Sequence, residues 1–253
     1  MSDTVHRIPR DGSNMICNQG QKLTLETSSG RSVRVRLEIN SRARRLLLRV
    51  DPKQREGVAI APRARDLPAA VAFARERADW LEAQMGHLPV PCPLVDGAVV
   101  PLRGVPCRLS LSGPGRTARL CVGTETVLSA PGDPETFAKR IVRYFRKAAL
   151  SDLGDAVDRH CGDLGVTPGR VSVKDTRSRW GSCTADGRLA FSWRLVLAPP
   201  EVLDYVAAHE CAHLLEMNHS ERFWRHVAAC RPDWKDQRDW LRQHGADLHA
   251  VGA

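Results

Sequence analysis

The run His209-Glu210-Cys211-Ala212-His213 has residue types and spacing that can do chemistry. Residues four apart on a helix lie on one face, so the two imidazoles can converge on a single metal ion. Glu210 is rotated by about 100° from His209. It can stand beside the metal without ligating it and take a proton from a metal-activated water. Chance supplies roughly 0.01 such matches in a chain of this histidine and glutamate content.

A catalytic zinc takes three protein ligands and keeps one open position. His219, six residues after His213, is the leading candidate for the third ligand. Glu216 is a rival ligand, or an acceptor behind the ligands, because it stays within one turn of His213. His226 and Glu221 are weaker rivals. Metalloproteases with this histidine spacing break the helix at a glycine, and Glu216 occupies that place here. The turn is therefore expected at Asn218, which tolerates the left-handed conformation. Arg179, Trp180 and Tyr205 are candidate substrate-binding residues. Arg179 could meet an anionic group or a developing oxyanion, and Tyr205 could point into the site. Trp180 equally suits a core position beside the Gly181 turn, and Tyr205 suits helix packing. Cys183 and Cys211 read more readily as small buried apolar residues than as redox-sensitive thiols.

The elements that must position these residues follow from periodicity. Pro199-Pro200 opens a helix expected to reach about Met217, and Val202, Val206, His209 and His213 share its stripe. A strand over Arg188–Leu197 precedes it, with Leu189–Val196 expected as the edge of the cleft to which a peptide could add. Ser220 is expected to cap one short helix and Asp233 the last one, with Gly245 as its stop. Further back, Asp133-Pro134 starts a helix reaching about Cys161. Alternation in Lys22–Leu25, Ser32–Ile39, Leu46–Val50 and Val58–Ile60 reads as strands. A helix with a stripe of Val71, Ala74, Ala78, Leu81 and Met85 then covers about Leu67–His87. Residues 98–130 read as strands again, punctuated by Gly104, Gly113-Pro114-Gly115 and Gly123. Val58–Pro62 and Val127–Pro131 both read as strand, Ala-Pro, helix, a faint internal echo.

Several of these segments together carry a resemblance. Ser178–Cys183, Trp193-Arg194-Leu195, Ala198–Val202, Tyr205-Val206, His209–Leu214, Asn218-His219-Ser220 and Phe223-Trp224 resemble the YgjP-like metallopeptidase family, relatives of the WLM and SprT-like zincins. The close match covers about residues 170–242. The basic strands and the Trp80 helix are similar less specifically. The resemblance implies an α+β fold with a zincin-like catalytic domain, its HExxH helix preceded by an edge strand, and an N-terminal β-rich region. It implies one Zn2+ on His209, His213 and His219, with Glu210 as general base and a peptide or protein as substrate. The domains expected are a polar tail over 1–18, a β-rich region with one helix over 19–131 and a metallohydrolase domain over 132–249. The runner-up activity is hydrolysis of a non-peptide bond such as a nucleotide phosphoanhydride, with Arg177 and Arg179 on the phosphates. A module that keeps zinc only for structure is disfavoured, since it would need no Glu210.

Composition narrows the setting. The chain has 253 residues, 42% apolar and 26% charged, which argues against broad disorder. No apolar run approaches a membrane span, and residues 1–18 lack the apolar core of a signal peptide. A cytoplasmic location is expected. Eight cysteines without a CxxC pair read as free thiols. The net charge of +9 is concentrated in residues 1–65, where 14 Lys and Arg face 6 Asp and Glu. Such a region can attract nucleic acid or another polyanion, or can merely be a solvated sheet surface.

Overall fold

The computed structural model describes residues 6–7, 17–52, 54–112, 115–176 and 179–252. Most of the expected tail, the Gly113-Pro114 turn, Arg177 and Ser178 lie outside the described residues. The fold mixes α and β, and its residues group into two compact units, 1–88 and 89–253.

The first unit is a sheet with strand order β1-β2-β3-β5-β4, from His6–Arg7 (β1), Lys22–Glu26 (β2), Ser32–Ile39 (β3), Leu47–Asp51 (β4) and Glu56–Ala61 (β5). The alternation in the sequence becomes alternating burial: Leu23, Leu25, Val33, Val35 and Leu37 are in the core. The expected helix is two, Leu67–Glu76 (α1) and Ala78–Gly86 (α2), because Arg77 leaves helical geometry at φ −109°. The stripe survives the break: Val71, Ala74, Ala78 and Leu81 are all buried.

The second unit opens with strands Val99–Leu102 (β6), Val105–Ser112 (β7), Arg119–Val122 (β8) and Thr126–Pro131 (β9), ordered β6-β7-β9-β8. These strands share a core with the following helix, Pro134–Leu164 (α3), through Leu109, Leu128, Phe137, Ile141 and Phe145. They therefore group with the C-terminal residues, whereas the sequence reading placed 19–131 together. The reason is the apolar face of α3, which needs a sheet to cover it. Asp133 caps α3 by accepting from the Glu135 and Thr136 amides, both at 3.0 Å, and Gly165 ends it at φ +66°.

Both sheets have the same wiring. In β2-β3-β5-β4 the successive pairings are antiparallel, parallel and antiparallel, and β6-β7-β9-β8 repeats that pattern. In each, an Ala-Pro at the end of an inner strand, Ala61-Pro62 after β5 and Ala130-Pro131 in β9, leads to a helix. The faint echo in the sequence marks a repeated topology.

A third sheet positions the site. Its strands are Val171–Lys174 (β10), Gly181–Cys183 (β11) and Leu189–Ser192 (β12), ordered β10-β12-β11. The expected edge strand before the HExxH helix is thus a central strand, paired parallel to β10 and antiparallel to β11. It also stops at Ser192, whose hydroxyl accepts from the Arg194 amide and turns Trp193–Leu197 into a short 3-10 helix. That turn is buried throughout, so its apolar run does not report a strand. Arg194 within it is 1% exposed, lies 4.3 Å over the Trp193 ring and pairs with Asp175.

Pro200–Ala212 (α4), Glu221–Cys230 (α5) and Trp234–Ala250 (α6) complete the chain. Gly245 does not end α6. A β-carbon there would stand 3.1 Å from Cζ2 of Trp180, so this glycine admits an indole mid-helix. Asp233 precedes α6 without a side-chain cap, its carboxylate being held by Arg231 and Gln237. No helix among the described residues is long and apolar enough to cross a membrane.

Candidate metal centre

α4 is an almost fully buried helix begun by Pro200 at its first turn. Its last turn carries His209 and Glu210, and His213 is its C-cap with helical geometry (φ −65°, ψ −19°). The helix ends here and not at Met217. The Leu214, Leu215 and Glu216 amides turn back onto the Cys211 and Ala212 carbonyls. Asn218 makes the corner with its side chain, not with a left-handed backbone. Among described non-glycine residues only Arg55 and Arg103 have positive φ. Asn218 Oδ1 accepts from the Ser220 amide at 2.9 Å, and Nδ2 donates to Glu216 Oε1 at 2.8 Å. Ser220 then caps α5 by accepting from the Phe223 amide at 3.4 Å.

This corner delivers His219 to the other two histidines. One ligand atom from each of His209, His213 and His219 lies within 4.8 Å of the others. The Nε2 atoms of His209 and His219 are 3.1 Å apart. Two nitrogens on a tetrahedral zinc at about 2.05 Å would be ~3.4 Å apart, so the spacing suits such an ion. His213 Nδ1 is 3.1 Å from the Glu216 carbonyl, which fixes that nitrogen as the donor and leaves Nε2 as a lone-pair ligand. Glu216 therefore sits behind the ligands, through its backbone. Burial, with the neighbouring His213 and His219, holds the His209 imidazole down to about 3, and burial lowers His213. Both are neutral near pH 7, as metal ligation requires. Among the described residues these three form the group able to hold a metal, and Glu221 and His226 are outside it.

Glu210 is 5% exposed, and burial pushes its carboxyl up to about 7 against the pull of the Arg179 charge. It faces β11: Gly181 lies against its carboxyl group. Arg179 is exposed. Trp180 is half-buried, stacks on His249 at 4.2 Å and fills the notch at Gly245. Tyr205 is buried and meets His209 edge-on at 6.0 Å. Burial pushes its hydroxyl up to about 12.

Phe223 is what sequence reasoning undervalued. It is fully buried, and its ring lies 4.4–4.8 Å from all three imidazoles, a floor that holds them together. Trp224 adds a wall 5.8 Å from His209 and His219, itself stacked on Trp234 at 4.2 Å. The signal was present: Phe223 follows the Ser220 cap by three residues, one turn from His219. Cys211 is buried with its sulfur 3.5 Å from that of Cys161, and burial raises its pKa, so it behaves as a small apolar residue. Cys183 is half-buried, and burial raises it too.

In the first unit, part of the basic excess is neutralised locally. Arg36 pairs with Glu56, Glu38 and Asp51, Lys22 with Glu56, and Arg31 with Glu82.

No curated protein matches the chain significantly. Among solved structures, the metallopeptidase zymogen of Pyrococcus abyssi abylysin aligns at 22% identity and a TM-score of 0.33, covering 35% of this chain and 90% of that one. The family model described as YgjP-like, metallopeptidase domain, matches residues 44–244. That span takes in about half of the first compact unit, nearly all of the second and every residue of the histidine cluster, and so the chain belongs to the YgjP-like family of metallopeptidase domains.

Proposed function

We propose that this chain is a zinc-dependent peptidase in which His209, His213 and His219 hold the ion and Glu210 is the general base. One observation carries the reading: three imidazoles converge while the residue after the first presents a buried carboxyl group beside them. Three neutral nitrogen donors favour zinc, although another divalent ion would accept the same set. Zinc bound there would supply a Lewis acid that polarises a carbonyl and acidifies water.

The chain's own residues do the rest. Glu210 is poised to exchange a proton because burial removes the hydration that keeps a carboxylate a weak base. It takes a proton from the attacking water and gives one to the departing amine. Arg179 places a positive charge near Glu210 and is the exposed candidate for meeting substrate. The free edge of this sheet on the Glu210 side belongs to β11, so an extended peptide pairs with Gly181–Cys183 and not with β12. Tyr205 and Trp180 act through packing, the first on His209 and the second on α6.

The test is incubation of the zinc-loaded chain with a mixed peptide library and, separately, with nucleoside triphosphates. Peptide cleavage that a chelator stops and zinc restores is the expected result. Nucleotide hydrolysis without peptide cleavage would replace this reading.

A further inference from the structure

Within the second unit, away from the histidines, a groove of about 470 Å³ lies between α3, the turn after β6 and the segment that leads into β8. Its lining carries Arg103, Arg116, Arg140, Arg143 and Lys147, and no carboxylate. Arg140, Arg143 and Lys147 recur at steps of three and four, so they share one face of α3. Arg116 comes from the segment before β8 and Arg103 from the turn after β6. The positive charges thus approach one concavity from three directions.

Several arginines elsewhere find carboxylates, Arg108 with Glu125, Arg159 and Arg231 with Asp204, Arg194 with Asp175, while others, such as Arg34, Arg75 and Arg225, have none among the described residues. In the groove only Arg103 has one, Asp152, which lies outside the lining. Arg140 donates to the Pro131 carbonyl, an uncharged partner. Arg116, Arg143 and Lys147 form no ion pair among the described residues. The four cations without a carboxylate, Arg116, Arg140, Arg143 and Lys147, repel each other around one concavity, and a bound anion removes that repulsion. Guanidinium groups bind phosphoryl oxygens in pairs, and such charge-assisted bonds are the strong ones. Ser151 lines the same wall.

We propose that this groove binds a compact oligophosphate, such as inorganic tripolyphosphate or the phosphate chain of a nucleotide, through Arg116, Arg140, Arg143 and Lys147. The concave shape and the convergence of charge favour a compact anion over an extended nucleic-acid backbone, which a flat stripe would track.

The test is calorimetric titration of the full chain with sodium tripolyphosphate at low salt. Adenosine triphosphate and a short single-stranded oligonucleotide form separate arms. Arg143→Gln with Lys147→Gln removes two charges from an exposed surface, and Arg143→Glu with Lys147→Glu reverses them. Arg42→Gln with Arg44→Gln, in the first unit, is the control. Thermal melts verify folding, and the glutamine pair decides if the reversed pair does not fold. We expect one tripolyphosphate per chain, weakened at least about tenfold by the glutamine pair and unaffected by the control. Tighter binding of the nucleotide would identify the source as a nucleoside phosphate, and equal binding would leave the phosphate chain as the whole determinant. The proposal is overturned if tripolyphosphate does not bind, if the groove and control variants weaken it equally, or if only the oligonucleotide binds.

Discussion

Gly181 of β11 and Glu210 of α4 fit together so closely that no other residue can stand at position 181 without displacing the carboxyl group. A β-carbon on Gly181 would be 2.6 Å from Glu210 Cγ and 2.7 Å from Cδ, both inside the 3.0 Å that real β-carbons keep. The glycine thus lets the free edge of the sheet pass directly over the proposed base.

Gly181→Ala should therefore damage catalysis while sparing the metal. Overpacking costs about 1–3 kcal/mol, which corresponds to roughly a 5-fold to 150-fold fall in kcat/KM if the carboxyl must move. Steady-state kinetics and metal analysis on the same preparation check this. Loss of metal together with activity would place the damage in the ligands.

The third ligand is tested by comparing two neighbours. His219→Ala should weaken zinc binding by orders of magnitude, because it removes one of three donors. Glu216→Ala should have a mild effect, since the Glu216 carbonyl that holds His213 is retained and only the contacts to Asn218 and Arg222 are lost. Competition with a chromophoric chelator measures both. The reverse order would make Glu216 the ligand.

Acid stability should depend on Asp204, on the buried side of α4. Burial opposes its ionisation, yet hydrogen bonds and charges from His160 and Arg159 hold its carboxyl down to about 2, and Arg231 adds a bond at 3.0 Å. A depressed folded pKa stabilises the fold above the unfolded value, and the gain disappears as pH falls from about 4 to about 2. The gain at pH 7 is about 2 kcal/mol. Asp204→Asn should thus lower the unfolding midpoint at pH 7, and the gap to wild type should close toward pH 2. Denaturant melts across that range check it, and a constant gap would show that the charge is not responsible.

The legible parts of the fold were those governed by neighbours in sequence. The histidine spacing, the Asp133 and Ser220 caps and the alternation in β2 and β3 depend on local geometry, and the structure shows each. Other features depended on residues far along the chain. Gly245 resembles a helix stop unless Trp180, 65 positions earlier, is known to fill its notch. Leu189–Val196 reads as one strand because a buried 3-10 turn is as apolar as a buried strand. Its place in the middle of a sheet depends on β10 and β11. The Ala-Pro echo was faint because two sheets can share wiring while sharing few residues.

The central claim is that Glu210 moves the proton while the histidines alone hold the ion, and Glu210→Gln tests it most directly. The amide keeps the size of the side chain and cannot accept a proton. Zinc content and peptide cleavage are measured on the same sample. The account predicts one zinc per chain, as in the wild type, with turnover reduced by at least about a hundredfold. Near-normal turnover with zinc in place would contradict it.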